Sequence, residues 1–370
     1  MTVVFLVLSW FISIAFGLLT VSMLLTKNWL QGFALLIVFL LLLPPARALA
    51  FHLTGRSFPW WGRLIVVALL LAAFVWMDSL TSYTAAIYKS PEVRARFLEM
   101  YDAKMKKWPV PFEDVYIDTE YGKVHVVACG PEDAPPLLLL HASGVSSWSW
   151  LPNVKALSRH YRIYAVDTLG DAGKSELLKR DHYPSNGRVQ AGLCAVICNN
   201  LGIERAFVAG ASEGGFIGTN FALHAPDRVV KLVLLGPMGY GGTAGSVFRI
   251  MLTQFFPLKG VQKRTIAWAF GDNPGVAGMF GEWFPLLMTE TFPRKARPVQ
   301  FTADELSSLQ APVLLILGSR DNLVGDPEKS RALAQDIPDV RIEVLDSGHL
   351  IGVEKPRRVN NLLLEFLGKP

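Results

Sequence analysis

A serine lies at the centre of a Gly-Ala-Ser-Glu-Gly segment, where its hydroxyl could act as a nucleophile. Gly210 and Gly214 stand two positions either side of Ser212. An apolar run at 207–209 leads into the segment, and residues 216–224 after it have the composition of a helix. A serine between a strand and a helix is typical of a nucleophile elbow, a tight turn that exposes the hydroxyl. By itself the pattern also fits a glycine-rich turn with an incidental serine.

A serine nucleophile needs a base that takes its proton and a carboxylate that orients the base. Asp321 follows an apolar, strand-like run at 313–317, and His349 follows another at 341–345. The carboxyl ends of parallel strands meet at one edge of a sheet, so both side chains are expected beside Ser212. The order Ser, Asp, His along the chain therefore predicts a catalytic triad.

Other carboxyl and imidazole groups could take the same roles. Asp326 lies further into the loop after the same strand and is the alternative acid, whereas Asp304 is more remote along the chain. His141 follows a predicted strand and His224 ends a predicted helix. We interpret both histidines as structural residues.

Strand-like and helix-like segments alternate from residue 112 onward. This alternation predicts an α/β fold, in which a mostly parallel sheet has helices on both faces. Residues 237–309 break the pattern and are rich in aromatic side chains, Gly and Pro, so we interpret them as a helical cap over the strand ends. The alternatives for this region are a partner-binding surface or a membrane-facing segment. Besides the run before Ser212, strands are predicted at 115–119, 124–128, 137–140, 162–166, 230–235, 313–317 and 341–345.

From about residue 112 to 367 the chain resembles the α/β-hydrolase superfamily. It looks most like the bacterial carboxylesterase-type members that have a helical cap. The motifs that carry the resemblance are His-Ala-Ser-Gly at 141–144, the loop at 167–175, the elbow at 210–215, Ala-Pro-Asp-Arg-Val at 225–229, Gly-Ser-Arg-Asp at 318–321 and Ser-Gly-His at 347–349.

The resemblance implies a serine hydrolase that cleaves carboxylic esters through an acyl-enzyme. Ser212 would be the nucleophile, His349 the base and Asp321 its orienting acid. The oxyanion hole would use the backbone N–H groups of Glu213 and Ser143. Serine at the elbow argues against haloalkane dehalogenase and epoxide hydrolase chemistry, which the resemblance would assign to aspartate at that position.

Several alternatives stay open at the level of sequence. Ala142 stands where many members of the superfamily have Gly, and this departure leaves open which N–H of the loop points inward. Thioesters, lactones and activated amides are further substrate classes. The alternative functions are a membrane-tethered module of the same fold that binds a small ligand or signals, and a lipase or thioesterase that acts at the membrane.

Composition limits the partners. The chain of 370 residues has a net charge of +5, and its basic residues are dispersed, so nucleic acid is not an expected partner. Cys129, Cys194 and Cys198 lack metal-ligand spacing to histidine, so neither a metal site nor a disulfide framework is expected. No cofactor is expected. The expected partners are a small apolar ester substrate and the lipid bilayer.

The bilayer is expected because the N-terminal part is strongly apolar. Runs at 3–25, 30–43 and 64–77 contain no charged residue, and we interpret them as three transmembrane helices. The alternative is a cleaved signal peptide followed by two helices. Arginines in the second loop, at 47, 56 and 63, place that loop in the cytoplasm and the catalytic domain outside it.

The predicted organisation therefore has four parts. Residues 1–80 form a transmembrane anchor, and residues 81–111 form a linker helix. Residues 112–236 and 310–370 form the α/β-hydrolase core, and residues 237–309 form the cap.

Overall fold

The computed structural model describes residues 87–178, 183–184, 186–241, 259–270, 273–291 and 299–368, with isolated positions between 17 and 65. The chain divides into two compact units. One comprises Met1–Ser82 and Met251–Gln262, and the other comprises Tyr83–Ile250 and Lys263–Pro370. Almost all of the described residues belong to the second unit, which therefore carries the fold and the candidate site.

Nine strands of the described residues form one sheet. They are β1 (Phe112–Thr119), β2 (Gly122–Cys129), β3 (Pro136–Leu140), β4 (Arg162–Asp167), β5 (Glu176–Leu177), β6 (Ala206–Ala211), β7 (Val229–Leu235), β8 (Val313–Gly318) and β9 (Val340–Leu345). Their order is β1-β2-β4-β3-β6-β7-β8-β9, with β5 beside β2. All pairs from β4 to β9 along this order are parallel, and the pairs that involve β2 are antiparallel. The predicted α/β architecture is confirmed.

The sheet is covered on both faces, as the continuous apolar runs of its central strands require. Successive side chains of a strand point to opposite faces. In β3, Leu137 and Leu139 accordingly belong to one buried cluster, whereas Leu138 and Leu140 belong to another. Burial of the four side chains is essentially complete, so β3 lies at the centre of the fold.

Eleven α-helices are present among the described residues. Those that precede the cap region are α1 (Pro91–Met105), α2 (Leu151–Leu157), α3 (Gly187–Asn200) and α4 (Glu213–His224), with 3₁₀ turns at Ser147–Trp150 and Pro226–Arg228. Those in the cap region and after it are α5 (Lys259–Phe270), α6 (Pro274–Phe280), α7 (Trp283–Glu290), α8 (Ala303–Ser307), α9 (Pro327–Ala334), α10 (Ile351–Glu354) and α11 (Pro356–Leu367).

Helix α1 packs into the buried core. Ser90 is its N-cap, with an Oγ that accepts from the Val93 N–H at 3.3 Å. The apolar side chains Phe97, Tyr101 and Met105 recur every fourth residue, so they lie on one face of the helix. All three are buried in the cluster that also contains part of β3. The segment predicted as a linker therefore contributes a buried face to the second unit.

The predicted membrane localisation, with the catalytic domain outside the cytoplasm, is wrong. Among the described residues, no helix is both long enough and apolar enough to cross a bilayer. The longest of these helices, Pro91–Met105, has 15 residues, whereas a span needs about 20. The predicted spans at 3–25, 30–43 and 64–77 lie almost wholly outside the described residues. The described residues give no support for the bilayer as a partner.

Candidate active site

Ser212 lies at the tight turn between β6 and α4. Its backbone φ is +52°, and among the described residues no other non-glycine residue has a positive φ. Two glycines permit this turn because strand and helix pass in contact. A Cβ on Gly210 would stand 2.2 Å from the Gly214 carbonyl oxygen, and a Cβ on Gly214 would stand 2.1 Å from the Leu140 carbonyl oxygen. The turn is thus a strained elbow that presents the Ser212 hydroxyl above the strand ends.

A chain of hydrogen bonds joins Ser212 to His349 and Asp321. The His349 Nε2 lies 2.9 Å from the Ser212 Oγ, and the His349 Nδ1 lies 2.7 Å from the Asp321 Oδ2. The carboxylate accepts from Nδ1–H, so Nε2 is left to accept from the serine hydroxyl. Asp321 follows β8 and His349 follows β9, and all three side chains are buried. The structure therefore brings these three sequence-predicted residues together.

The second oxygen of Asp321 is also bonded. Its Oδ1 accepts from the Leu323 N–H at 2.9 Å and from the Val324 N–H at 3.0 Å. Burial alone would raise the pKa of Asp321, but the neighbouring His349 and the two N–H donors outweigh it and hold that pKa below its usual range. The carboxyl group is therefore ionised and fixed in orientation at neutral pH.

The other acids considered from the sequence lie elsewhere in the fold. Asp326 is the N-cap of α9, and its Oδ1 accepts from the Glu328 N–H at 3.0 Å. Asp304 is exposed in the first turn of α8. Neither carboxylate has His349 among its described hydrogen-bond partners, which leaves Asp321 as the residue that faces the imidazole.

His141 orients the loop after β3, which comprises residues 141–147 and is called the β3 loop below. Its Nε2 accepts from the Thr168 N–H at 2.9 Å, so the ring proton is on Nδ1. Nδ1 then donates to the Ala142 carbonyl oxygen at 2.8 Å. Carbonyl and N–H of one trans peptide point in opposite directions. The Ser143 N–H, which belongs to the same peptide as the Ala142 carbonyl, is therefore directed away from the His141 ring.

Two carboxylates from the loop after β4 fix the β3 loop further along. The Gly144 N–H donates to the Asp171 Oδ1 at 2.8 Å, and the Ser147 N–H donates to the Asp167 Oδ1 at 2.8 Å. Asp167, at the end of β4, and Asp171, in the loop after it, reach the β3 loop because β3 and β4 are adjacent parallel strands that end at the same edge.

His125 is a buried residue that the sequence reasoning missed. In the antiparallel pair of β2 and β4 it stands opposite Asp167, and its Nδ1 lies 2.9 Å from the Asp167 Oδ2. Its Nε2 lies 2.6 Å from the Asp114 Oδ1. Burial lowers the pKa of His125, but the two carboxylates outweigh burial and raise it. The signal in the sequence was a histidine among the apolar residues of a predicted strand. Such a pattern indicates a buried imidazole, but it does not indicate which residue the imidazole bonds to.

Aromatic side chains of the cap region lie against the site. The Phe270 ring centroid is 6.3 Å from that of His349, and Phe270 stacks on Phe284 at 4.6 Å. The indole Nε1–H of Trp283 donates to the Gly144 carbonyl oxygen at 2.7 Å. Helices α5 and α7 therefore contribute an apolar surface beside the imidazole, and α7 also makes a direct bond to the β3 loop.

The described residues offer little for a metal ion. Within them, no group of three His, Cys, Asp or Glu side chains is placed to hold one. The three cysteine thiols are buried, and burial raises the pKa of Cys129 and of Cys198 to about 11. Such thiols are protonated at neutral pH, and they pack as core residues.

Comparison with known proteins adds independent information about this arrangement. The model of the alpha/beta hydrolase family matches residues 137–362, a range that includes Ser212, Asp321 and His349. Carboxylesterase YbfK of Bacillus subtilis (strain 168) is 32% identical over 295 residues. That match covers 76% of this chain and 96% of the relative.

Solved structures show the same likeness in three dimensions. The crystal structure of naproxen esterase (carboxylesterase NP) from Bacillus subtilis has a TM-score of 0.70 at 30% identity, and the match covers 76% of this chain and 100% of that chain. The crystal structure of carboxylesterase CesB (YbfK) from Bacillus subtilis has a TM-score of 0.67 at 31% identity, over 75% of this chain and 98% of that chain.

Proposed function

This chain belongs to the alpha/beta hydrolase family and is a carboxylic ester hydrolase, and we propose that Ser212, His349 and Asp321 are its catalytic triad. The observation that supports the proposal is the continuous hydrogen-bond chain through the three side chains, at 2.9 Å and 2.7 Å. In this chain of bonds the Ser212 hydroxyl donates to the imidazole of His349, and the imidazole donates to the carboxylate of Asp321, as nucleophilic catalysis by serine requires.

In the acylation step, the Ser212 Oγ attacks the carbonyl carbon of the ester while His349 Nε2 takes the hydroxyl proton. Asp321 keeps the imidazole in the required tautomer and stabilises the imidazolium that forms. The tetrahedral intermediate then expels the alcohol, which receives the proton from Nε2. Water attacks the resulting acyl-enzyme with the same base, and release of the carboxylic acid restores Ser212.

Backbone N–H groups of Glu213 and Ser143 are proposed as the oxyanion hole. Glu213 is the first residue of α4, so its N–H lies at the positive end of the helix dipole. The orientation of the Ser143 N–H follows from the bond that His141 makes to the Ala142 carbonyl. A donor of this kind contributes about 3–4 kcal/mol to stabilisation of the transition state.

The proposed substrate is a small ester with an apolar acyl or alcohol group. Phe270 and Phe284 supply a stacked aromatic surface beside His349, and no charged side chain takes part in that stack. Apolar surface of this kind favours substrate groups that gain free energy by leaving water. Thioesters with the same acyl groups remain a second substrate class, because the triad attacks both kinds of carbonyl.

The division of the chain is also proposed on these grounds. Residues 112–236 and 310–370 carry the sheet and the three triad residues, and form the core. Residues 237–309 carry Phe270, Trp283 and Phe284, and form the cap. Residues 81–111 carry α1 and lead into the core.

A fluorophosphonate probe tests the triad directly, because it reacts with an activated serine. We expect covalent labelling of the wild-type protein at Ser212 and none of Ser212→Ala. A panel of p-nitrophenyl esters from acetate to dodecanoate, with matched thioesters, then tests activity and pocket size together. Equal labelling of the wild type and Ser212→Ala, or equal turnover by both, would exclude Ser212 as the nucleophile. Ligand binding without labelling or turnover would instead favour a binding module of the same fold.

A further inference from the structure

Gly144, the residue after Ser143, is contacted by two side chains of the cap helix α7. Its carbonyl oxygen accepts from the Trp283 Nε1–H at 2.7 Å. Its backbone φ is +76°, and a Cβ at this position would stand 2.5 Å from the Leu287 Cδ2. Trp283 and Leu287 are four residues apart on α7, so one face of this helix contacts Gly144 through both. The Gly144 N–H is bonded to Asp171 at 2.8 Å, so the core holds the other side of the residue.

The Trp283 indole is itself fixed by its surroundings. The side chain is fully buried, and its ring lies 4.9 Å from Phe97 and 4.9 Å from Trp148, in edge-to-face contacts. Close packing on both sides leaves the ring few alternative rotamers. Its N–H therefore has a fixed direction, and that direction is toward the β3 loop.

Neighbouring Trp148 provides a natural comparison. Both indoles are buried in the same cluster and contact each other. The Trp148 Nε1 has no hydrogen-bond partner among the described residues, whereas the Trp283 Nε1 donates to Gly144. Replacing either indole by a phenyl ring removes a similar volume, but only the replacement of Trp283 also removes a bond to the β3 loop.

From this arrangement we infer that Trp283 is a positioning residue for the oxyanion hole. The rate of acylation then depends on how α7 of the cap packs against the β3 loop. The inference rests on the proposed function, in which the Ser143 N–H is an oxyanion donor. The Gly144 carbonyl is separated from the Ser143 N–H by one peptide unit, the one whose N–H is bonded to Asp171. Without the Trp283 bond, the β3 loop loses its bond to α7 on the Gly144 side of Ser143, while His141 still holds the Ala142 side, so the Ser143 N–H is displaced and not removed. An oxyanion donor acts only if it is already aimed at the developing charge, so the loss falls on the transition state and not on substrate binding.

The test compares Trp283→Phe with Trp148→Phe in the full chain, using p-nitrophenyl butyrate. For Trp283→Phe we expect kcat to fall about 10- to 100-fold while KM changes less than about threefold, because one donor is misplaced and not removed. Trp148→Phe keeps kcat within about threefold of the wild type, since no bond to the loop is lost and an aromatic ring still packs against the Trp283 indole. An isosteric replacement of Trp283 by benzothienylalanine, which keeps the ring size and lacks the N–H, separates loss of the bond from loss of packing.

A second readout distinguishes positioning from general damage. An aryl trifluoromethyl ketone forms a tetrahedral oxyanion adduct with the serine, so its affinity follows transition-state stabilisation. Its Ki should rise by the same factor by which kcat/KM falls in the two Trp283 variants. Equal kinetics for Trp283→Phe and Trp148→Phe, or wild-type kinetics for the benzothienylalanine protein, would overturn the inference.

The two proposals fail in different ways. If Ser212→Ala is inactive and unlabelled while the Trp283 variants resemble Trp148→Phe, the triad stands and the positioning role does not. If Ser212→Ala keeps wild-type turnover, the nucleophile assignment is wrong, and the role of Trp283 falls with it.

Discussion

Asp167 and His125 stand directly opposite each other in the antiparallel pair of β2 and β4, and the His125 Nδ1 lies 2.9 Å from the Asp167 Oδ2. The carboxylate is fully buried and also accepts from the N–H groups of Ser147 and Lys174, at 2.8 Å and 3.0 Å. Burial raises its pKa, but the hydrogen bond and charge of His125 and the backbone donors outweigh burial and hold the pKa at about 2. The pair therefore joins β2, β4 and the β3 loop.

Acid should weaken the fold through this carboxylate. The pKa of Asp167 is about 2 when folded and about 4 when unfolded, so its contribution to the free energy of unfolding is complete above about pH 4 and is lost as the pH falls toward 2. We expect Asp167→Asn to lower that free energy by about 3 kcal/mol at pH 7, because it removes the buried charge that faces His125 Nδ1 and leaves Asp114, among the described residues, as the one carboxylate paired with the imidazole. Urea unfolding measured from pH 7 to pH 2 checks both statements.

Asp118 supplies the matched control, because its carboxylate is largely exposed beside Lys123. Asp118→Asn should leave the free energy of unfolding within about 0.5 kcal/mol of the wild type. An acid dependence between pH 4 and pH 2 that is the same in the wild type and Asp167→Asn would contradict the role given to Asp167.

His141 should affect turnover more than binding. His141→Phe removes both the acceptor for the Thr168 N–H and the donor to the Ala142 carbonyl, so the Ser143 peptide is no longer fixed. We expect kcat to fall about 10-fold or more with little change in KM, since oxyanion stabilisation is a property of the transition state. Steady-state kinetics on one short-chain ester suffice to measure the split.

His224 is the control for this substitution, since it lies exposed at the end of α4, away from the β3 loop. His224→Gln should keep kcat within about twofold of the wild type. A larger rise in KM than fall in kcat for His141→Phe would show that the residue shapes the substrate pocket instead.

The strand–turn–helix around Ser212 could be predicted because its signals are local. An apolar strand, two glycines that allow close approach and a helix all lie within a short segment, and the alternation of strands and helices around it indicates a parallel sheet. The same topology explains why the loops of Asp321 and His349 arrive at the edge that carries Ser212. These statements depend on chain order and strand polarity, which a sequence expresses directly.

Other features depend on register and on contacts between distant segments. His125 meets Asp167 only because β2 and β4 pair in one particular register. Trp283 is 139 residues from Gly144, and nothing in the local pattern of either residue indicates the other. The predicted localisation depended on hydropathy alone, which measures how apolar a run is; among the described residues no helix is long and apolar enough to cross a bilayer.

Substitutions at Asp321 and Asp326 should have different effects, the first on catalysis and the second on the stability that a helix cap provides. Asp321→Asn keeps the shape of the side chain but removes the charge that orients and stabilises the imidazolium, so we expect kcat to fall about 10³- to 10⁴-fold. Asp326→Ala removes the N-cap acceptor for the Glu328 N–H and should lower the free energy of unfolding by about 1 kcal/mol with kcat unchanged. Kinetics and urea unfolding of both variants give the comparison, and the opposite result would assign the acid to Asp326.

Helix α1 should stabilise the unit through Phe97. This side chain is 1% exposed, and its ring meets Trp283 edge-to-face at 4.9 Å. Phe97→Ala leaves a cavity between α1 and α7, and we expect the free energy of unfolding to fall by about 3 kcal/mol. Phe97→Leu retains more of the volume and should lose less.

Glu99 is exposed on the same helix and provides the control. Glu99→Ala should change the free energy of unfolding by less than about 0.5 kcal/mol, because Ala favours the helix and no buried contact is lost. If α1 were only a linker, Phe97→Ala and Glu99→Ala would have the same stability. If α1 also holds α7 in place, Phe97→Ala should lower kcat even at temperatures well below the melting transition. The reason is that Trp283 then loses one of the two rings that fix its indole.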